Sequence, residues 1–129
     1  MTSQSSARVD SITPAAKPKV HGPIDMTFLG RQTLGDENLA LEVLRLFDEM
    51  QKTYYARLET STSVPDLLQH LHTLRGAASG VGAFALAELA KAAEEELRAG
   101  KPVNPERIDD LGLAVHEASA FIAEQVEAA

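Results

Sequence analysis

Apolar residues recur every three or four positions along most of the chain, which is the spacing of helices that bury one face. The pattern divides at polar or glycine-containing breaks into four long stretches, at about 36–60, 65–83, 85–99 and 105–126. A shorter stretch with Met26, Phe28 and Leu29 precedes them. No segment alternates apolar and polar residues between turn signals, as a half-buried strand would. The pattern predicts an all-α, up-down four-helix bundle with a short additional N-terminal helix.

Residues that favour helix ends stand at these boundaries. Asp25 and Asp36 suit the N-caps of the first two helices, and Asn104 followed by Pro105 suits the start of the last. Gly100 follows the fourth stretch, where a C-terminal glycine is common. The boundaries therefore agree with the periodicity.

Residues 1–24 lack this periodicity and are rich in serine and proline. Such composition cannot bury enough apolar surface to offset the entropy of ordering. We predict a flexible leader over 1–24 and a single bundle domain over 25–129.

Composition narrows the range of functions. The chain has 129 residues, no cysteine and a formal net charge of -7. The absence of cysteine excludes thiolate chemistry and disulfides, and the negative charge disfavours nucleic acid and anionic membranes as partners. No apolar run approaches the roughly 20 residues that span a bilayer, and the N-terminus has no apolar signal region. We expect a cytoplasmic monomer.

The third helix carries the candidate chemistry. On a wheel of about 100° per residue, Leu71 and Leu74 lie on the core side and His72 faces solvent. The residues around His72 are mostly small or uncharged, with one arginine: Leu68, Gln69, Arg75, Gly76, Ser79, Gly80 and Ala83. Because an interior glycine costs a helix roughly 1 kcal/mol relative to alanine, two glycines on this face favour close approach of a partner.

The run from His72 to Ala83, HTLRGAASGVGA, resembles the signature of histidine-containing phosphotransfer (HPt) domains of the single-domain bacterial type. That family has a histidine, a basic residue three positions later, a glycine next, and then an aliphatic–glycine pair. His72, Arg75, Gly76 and Val81-Gly82 stand at these places, with arginine where lysine is commoner. The resemblance extends over about residues 25–129.

The resemblance implies a role for each residue. His72 would accept a phosphoryl group and exchange it with a receiver-domain aspartate of a response regulator or hybrid kinase. Glu94 lies 22 positions after His72 and would hold the ring nitrogen that is not phosphorylated. Glu96 lies on the opposite flank of the buried face of the fourth helix, and the helical wheel alone does not exclude it. Arg75 would supply charge for the phosphate or partner. Arg98, one turn after Glu94, is a weaker match to a basic residue of some members.

The remaining implied surface would contact the partner: Leu68, Gln69, Gly76, Ser79, Gly80 and Ala83. The short first helix would lie near the histidine. The chain would be a phosphocarrier rather than an enzyme, with no cofactor or metal of its own, because Mg²⁺ would belong to the receiver.

Other functions remain open. A helical adaptor could bind a partner through the Gly76, Ser79 and Ala83 face without phosphorylation, and a phosphoacceptor domain of a larger kinase would carry the same signature. A hydrolase or metalloenzyme has least support, because no set of nucleophile, base and orienting group is present. His70 lies about 200° from His72 on the wheel, so the two cannot chelate one metal. We predict instead a buried, hydrogen-bonded His70 ring.

Overall fold

The computed structural model describes residues 22–129, and this part of the chain contains five helices and no strand. The helices are α1 (Met26–Gln32), α2 (Glu37–Thr60), α3 (Val64–Val81), α4 (Phe84–Arg98) and α5 (Pro105–Ala128). The all-α fold is thereby confirmed. Residues 1–21 of the predicted leader lie outside the described residues.

The four long helices form a closed bundle. α3 packs against α2 and α4, and α5 completes the ring by packing against the same two helices. The connections are short, so consecutive helices run antiparallel. α1 lies against α2 and α3. The bundle therefore has α3 and α4 side by side, and the histidine signature lies on one of them.

The predicted N-caps are present. The side chains of Asp25, Asp36 and Asn104 accept hydrogen bonds from the first-turn N–H groups of α1, α2 and α5 at 3.0, 3.0 and 2.9 Å. Ser63 does the same for α3 at 3.2 Å. These bonds satisfy backbone donors that have no partner within the helix. Short-range chemistry therefore sets the starts of these helices.

The end of α3 differs from the prediction. The helix stops at Val81 and not near Ala83, because Gly82 adopts a left-handed conformation with φ of +91°. The Ala83 N–H then donates to the Ala78 carbonyl at 2.8 Å, which closes the helix end. The chain turns at once into α4.

The core includes one residue that precedes position 25. Ile24 is fully buried and belongs to the core, and the Asp25 N–H donates to the Gly82 carbonyl at 2.9 Å. The sequence placed Ile24 in the leader because a single apolar residue shows no periodicity. The structure makes it part of the bundle.

The buried face of α2 is also rotated from the predicted one. The spacing of apolar residues predicts a buried stripe on α2 formed by Ala40, Val43, Phe47, Met50, Tyr54 and Leu58. In the structure Leu44 and Gln51 are fully buried, whereas Val43, Met50 and Tyr54 are only half-buried. Residues three or four positions apart both lie on one face of a helix, so the spacing leaves either Met50 or Gln51 for this place, and hydrophobicity favours Met50. The core instead accepts the Gln51 amide, whose nitrogen donates to Asp48 at 3.0 Å.

Candidate functional site

α3 presents His72 to solvent. Leu71 and Leu74, on its opposite face, are completely buried, whereas the His72 side chain is 62% exposed. The regular helix from Val64 to Val81 fixes this alternation, since adjacent residues are about 100° apart. The imidazole is therefore held on rigid backbone and is open to a partner.

α4 supplies the carboxylate. Glu94 is only 2% exposed, and its Oε2 atom lies 3.2 Å from His72 Nδ1. Glu95 is exposed, and Glu96 forms an ion pair with Arg107 of α5. The choice between the two flanks of α4 is therefore settled in favour of Glu94 as the neighbour of His72.

Two arginines surround the same carboxylate. Arg98, one turn after Glu94, donates from Nη2 to Oε2 at 2.8 Å. Arg75 reaches across from α3, where its Nη1 lies 3.4 Å from Oε1. The Arg75 contact is an ion pair without a hydrogen bond, because Oε1 has no hydrogen-bond partner among the described residues. The carboxylate thus has one close cation and one looser cation.

Two groups of opposite charge approach His72 Nδ1. Arg75 Nη2 lies 3.3 Å from the same Nδ1 atom. A ring nitrogen either donates one hydrogen bond or accepts one, so it cannot serve both Glu94 and a guanidinium. An ionised carboxylate only accepts. The Nδ1–H tautomer would place a donor against the charged Glu94 carboxylate and leave the lone pair on Nε2, whereas the Nε2–H tautomer would turn Nδ1 to accept from Arg75.

The surroundings of Glu94 keep it charged. Burial acts to raise the pKa of Glu94, but the hydrogen bond from Arg98, the charge of Arg75 and the contact with His72 outweigh it. The pKa of Glu94 is therefore lowered from its ordinary value. The carboxylate is ionised at neutral pH, as the Nδ1–H tautomer requires.

The other predicted surface residues divide into two groups. Gln69, Gly76, Ser79 and Gly80 are exposed and Leu68 is half-buried, as expected for a face around His72. A Cβ atom added at Gly76 or Gly80 would meet nothing within 4 Å, so no contact within the described chain requires these glycines.

Ala83 does not belong to this face. It is fully buried, and the expectation that it contacts a partner is wrong. The helical-wheel prediction treated Ala83 as part of α3, but the helix ends at the left-handed turn of Gly82. Ala83 instead stands at the N-cap position of α4.

His70 behaves differently from the prediction. It is half-buried, and its ring lies edge-on to Tyr54 with 5.6 Å between centroids. Its buried Nδ1 has no hydrogen-bond partner among residues 22–129, so the predicted hydrogen bond is absent there. Within the same residues no group of three or more potential metal ligands lies together. None of the described helices is both long and apolar enough to cross a membrane.

The chain is thus a helical bundle that exposes His72 to solvent. One ring nitrogen of this histidine contacts a buried carboxylate. A family model described as the Hpt domain matches residues 38–126, which is more than half of the chain. The chain therefore belongs to the Hpt domain family, whose members carry phosphoryl groups on histidine in phosphorelays and interact with receiver domains. The matched range includes His72 and Glu94 but not α1. Neither the curated proteins nor the solved structures gave a match.

Proposed function

We propose that this chain accepts a phosphoryl group on Nε2 of His72 from the aspartyl phosphate of a receiver domain, and returns it to a receiver aspartate. The observation that carries the proposal is the 3.2 Å contact between Nδ1 and the buried Glu94 carboxylate. That contact supports the tautomer with the proton on Nδ1, in which Nε2 is the free nitrogen of a ring that is 62% exposed.

On this chain, the ring and its carboxylate take part in the bond-making step. The Nε2 lone pair attacks phosphorus, an N–P bond forms, and the bond between phosphorus and the aspartate oxygen breaks to release the receiver carboxylate. The ring becomes positively charged because Nδ1 keeps its proton. Glu94 stabilises that charge, and the reverse step restores the neutral ring.

Arg75 is placed to act on the transferring group. It stands three residues after His72 on the same helix, and a guanidinium offers paired donors to phosphate oxygens. We propose that the chain holds no cofactor of its own, and that Mg²⁺ belongs to the receiver, where it neutralises the developing charge.

The partner would dock on the face formed by Leu68, Gln69, Gly76, Ser79 and Gly80. Gly76 and Gly80 have open space above them, so a partner backbone can approach the helix closely. Ala83 is excluded from this face by its burial.

The direct test is transfer of label from a receiver domain. A receiver charged with a labelled small phosphodonor and Mg²⁺ is mixed with the protein, and label on this chain is measured. We expect acid-labile, base-stable label that depends on the receiver, because phosphohistidine is a phosphoramidate.

The matched variants are His72→Gln, His70→Gln and His116→Gln. Only the first should abolish labelling. Equal labelling of all three, or no labelling from a panel of receivers, would contradict the proposal. In that event a binding function of the same face that does not need phosphorylation becomes the better explanation.

A further inference from the structure

The histidine site contains one more cation than its carboxylate needs. With a neutral His72, the single negative charge of Glu94 faces both Arg75 and Arg98. A buried carboxylate requires at least one such partner, since burial without compensation disfavours the charged form. The second arginine calls for a separate explanation.

The two arginines hold Glu94 in different ways. Arg98 makes a 2.8 Å hydrogen bond to Oε2, the same oxygen that faces His72 Nδ1. It lies four residues after Glu94 on the same helix, so the contact does not depend on the packing of α3. Charge-assisted bonds of this length are among the stronger ones in proteins.

Arg75 is held more weakly. Its distance to Oε1 is 3.4 Å, and that contact is not a hydrogen bond. Its 3.3 Å approach to His72 Nδ1 is repulsive when Nδ1 carries the proton, because both groups are donors. In the reactive tautomer, Arg75 therefore has little to hold it at Glu94.

We infer that Arg98 is the fixed counter-ion and positioning residue of Glu94, and that Arg75 is an exchangeable one that leaves Glu94 for the phosphoryl group on His72. The inference rests on the proposed function for its second half only. A phosphoryl group carries a charge of about -1.5 to -2 at neutral pH, which attracts Arg75 more strongly than the shared carboxylate does. Arg98 then remains to keep Glu94 ionised.

The first half can be tested on the unphosphorylated protein. Ring ¹⁵N resonances of His72 report which nitrogen carries the proton, and we compare Arg98→Gln with Arg75→Gln. We expect Arg98→Gln to reduce the Nδ1–H population, because Glu94 loses its main counter-ion. Arg75→Gln should not reduce that population and should raise it if it changes at all, because the substitution removes a donor that opposes the proton on Nδ1. Arg107→Gln is the matched control, since it removes an arginine from Glu96 on the same helix.

An unchanged tautomer in Arg98→Gln, or an equal loss of Nδ1–H in Arg75→Gln, would overturn the assignment. Neither result depends on phosphotransfer, so failure of the proposed function would leave this test intact.

The second half is tested by transfer rates in the single and double variants. Without Arg98, Arg75 is needed at Glu94 and is no longer free for the phosphoryl group, so the two losses should overlap. We expect each single variant to slow transfer by about tenfold, as outer partners of functional groups commonly do, and the double variant to lose clearly less than the product. Rate losses that multiply would show that the arginines act independently and would refute the exchange.

Discussion

The carboxylate of Glu94 is removed from water and still keeps its charge, because a hydrogen bond from Arg98 and the charge of Arg75 outweigh the effect of burial. This charge lies 3.2 Å from His72 Nδ1, and in the proposed function it favours the tautomer that leaves Nε2 free to react. Arg98 bonds the carboxylate, whereas the ring of His72 contacts Glu94 and Arg75. The exposed ring of His72 is thus in contact with a side chain that solvent hardly reaches.

The lowered pKa of Glu94 predicts a pH effect on stability. A carboxyl whose pKa is lower in the folded state stabilises the protein above its unfolded pKa, about 4.3 for glutamate. That contribution is lost as the pH falls through the folded value. In Glu94→Gln this part of the acid sensitivity should be missing, so stability should fall less between pH 5 and the acid limit.

Urea unfolding at a series of pH values measures this difference. The comparison with the parent protein is needed because Asp48 and Glu96 also have lowered pKa values. Parallel stability curves for the two proteins would show that Glu94 does not titrate as described.

Substitution of Gly76 should affect stability and docking in opposite directions. A Cβ at this position meets nothing within 4 Å, so Gly76→Ala should raise the free energy of unfolding by up to about 1 kcal/mol through helix propensity. The same methyl should slow phosphotransfer, because it stands where the partner approaches. Thermal unfolding and the receiver assay measure the two effects on one preparation.

A suitable control is His116→Ala on α5, an exposed position on a helix whose main contacts are with α2 and α4. It should leave transfer unchanged. If Gly76→Ala were also unchanged in transfer, the glycine would not belong to the docking face.

At the scale of elements, the turn between α3 and α4 holds the start of α1. Gly82 ends α3 in a left-handed conformation, and its carbonyl accepts a hydrogen bond from Asp25 at the start of α1. A Cβ at Gly82 would lie 2.9 Å from the Asp25 carbonyl oxygen and 3.2 Å from the Phe28 ring. One glycine therefore lies where α1, α3 and α4 meet.

Gly82→Ala should consequently destabilise the protein by about 2 kcal/mol or more, from left-handed strain and from overpacking against α1. Gly80→Ala, two positions earlier, should instead be neutral or stabilising because its surroundings are open. Denaturant unfolding of the two variants provides the measurement. Similar losses in both would mean that general helix effects, and not the contact with α1, set the cost.

The elements also show what the sequence can predict. The caps at Asp25, Asp36 and Asn104 depend on residues within one turn, so a linear reading finds them. The burial of Gln51 and the break after Val81 depend on neighbouring helices and on one backbone angle, which periodicity does not contain. His72 and Glu94 were predicted together by resemblance, whereas the unequal hold of the two arginines on Glu94 needs side-chain distances.

At the scale of the whole molecule, the core extends beyond the predicted domain boundary. Ile24 is completely buried with the bundle residues, although it precedes the first helix. Ile24→Ala should lower the free energy of unfolding by about 3 kcal/mol through lost transfer energy and the cavity left behind. Leu46→Ala, at a side chain that is 59% exposed, should cost less than about 0.5 kcal/mol.

Equilibrium unfolding in urea distinguishes these outcomes. An Ile24→Ala cost as small as that of Leu46→Ala would place Ile24 outside the cooperative unit. A large cost would set the start of the folded domain at or before this residue.

The His72–Glu94 contact joins two different helices, and this gives the site a second use. Sliding α3 along α4 by one residue, about 1.5 Å, would stretch or break a 3.2 Å contact. The protonation of the two His72 ring nitrogens should therefore change when α3 shifts relative to α4. A spectroscopist who follows the ring nitrogens of His72 can detect shear within the bundle, whether a partner, a mutation or acid causes it, without attaching any probe.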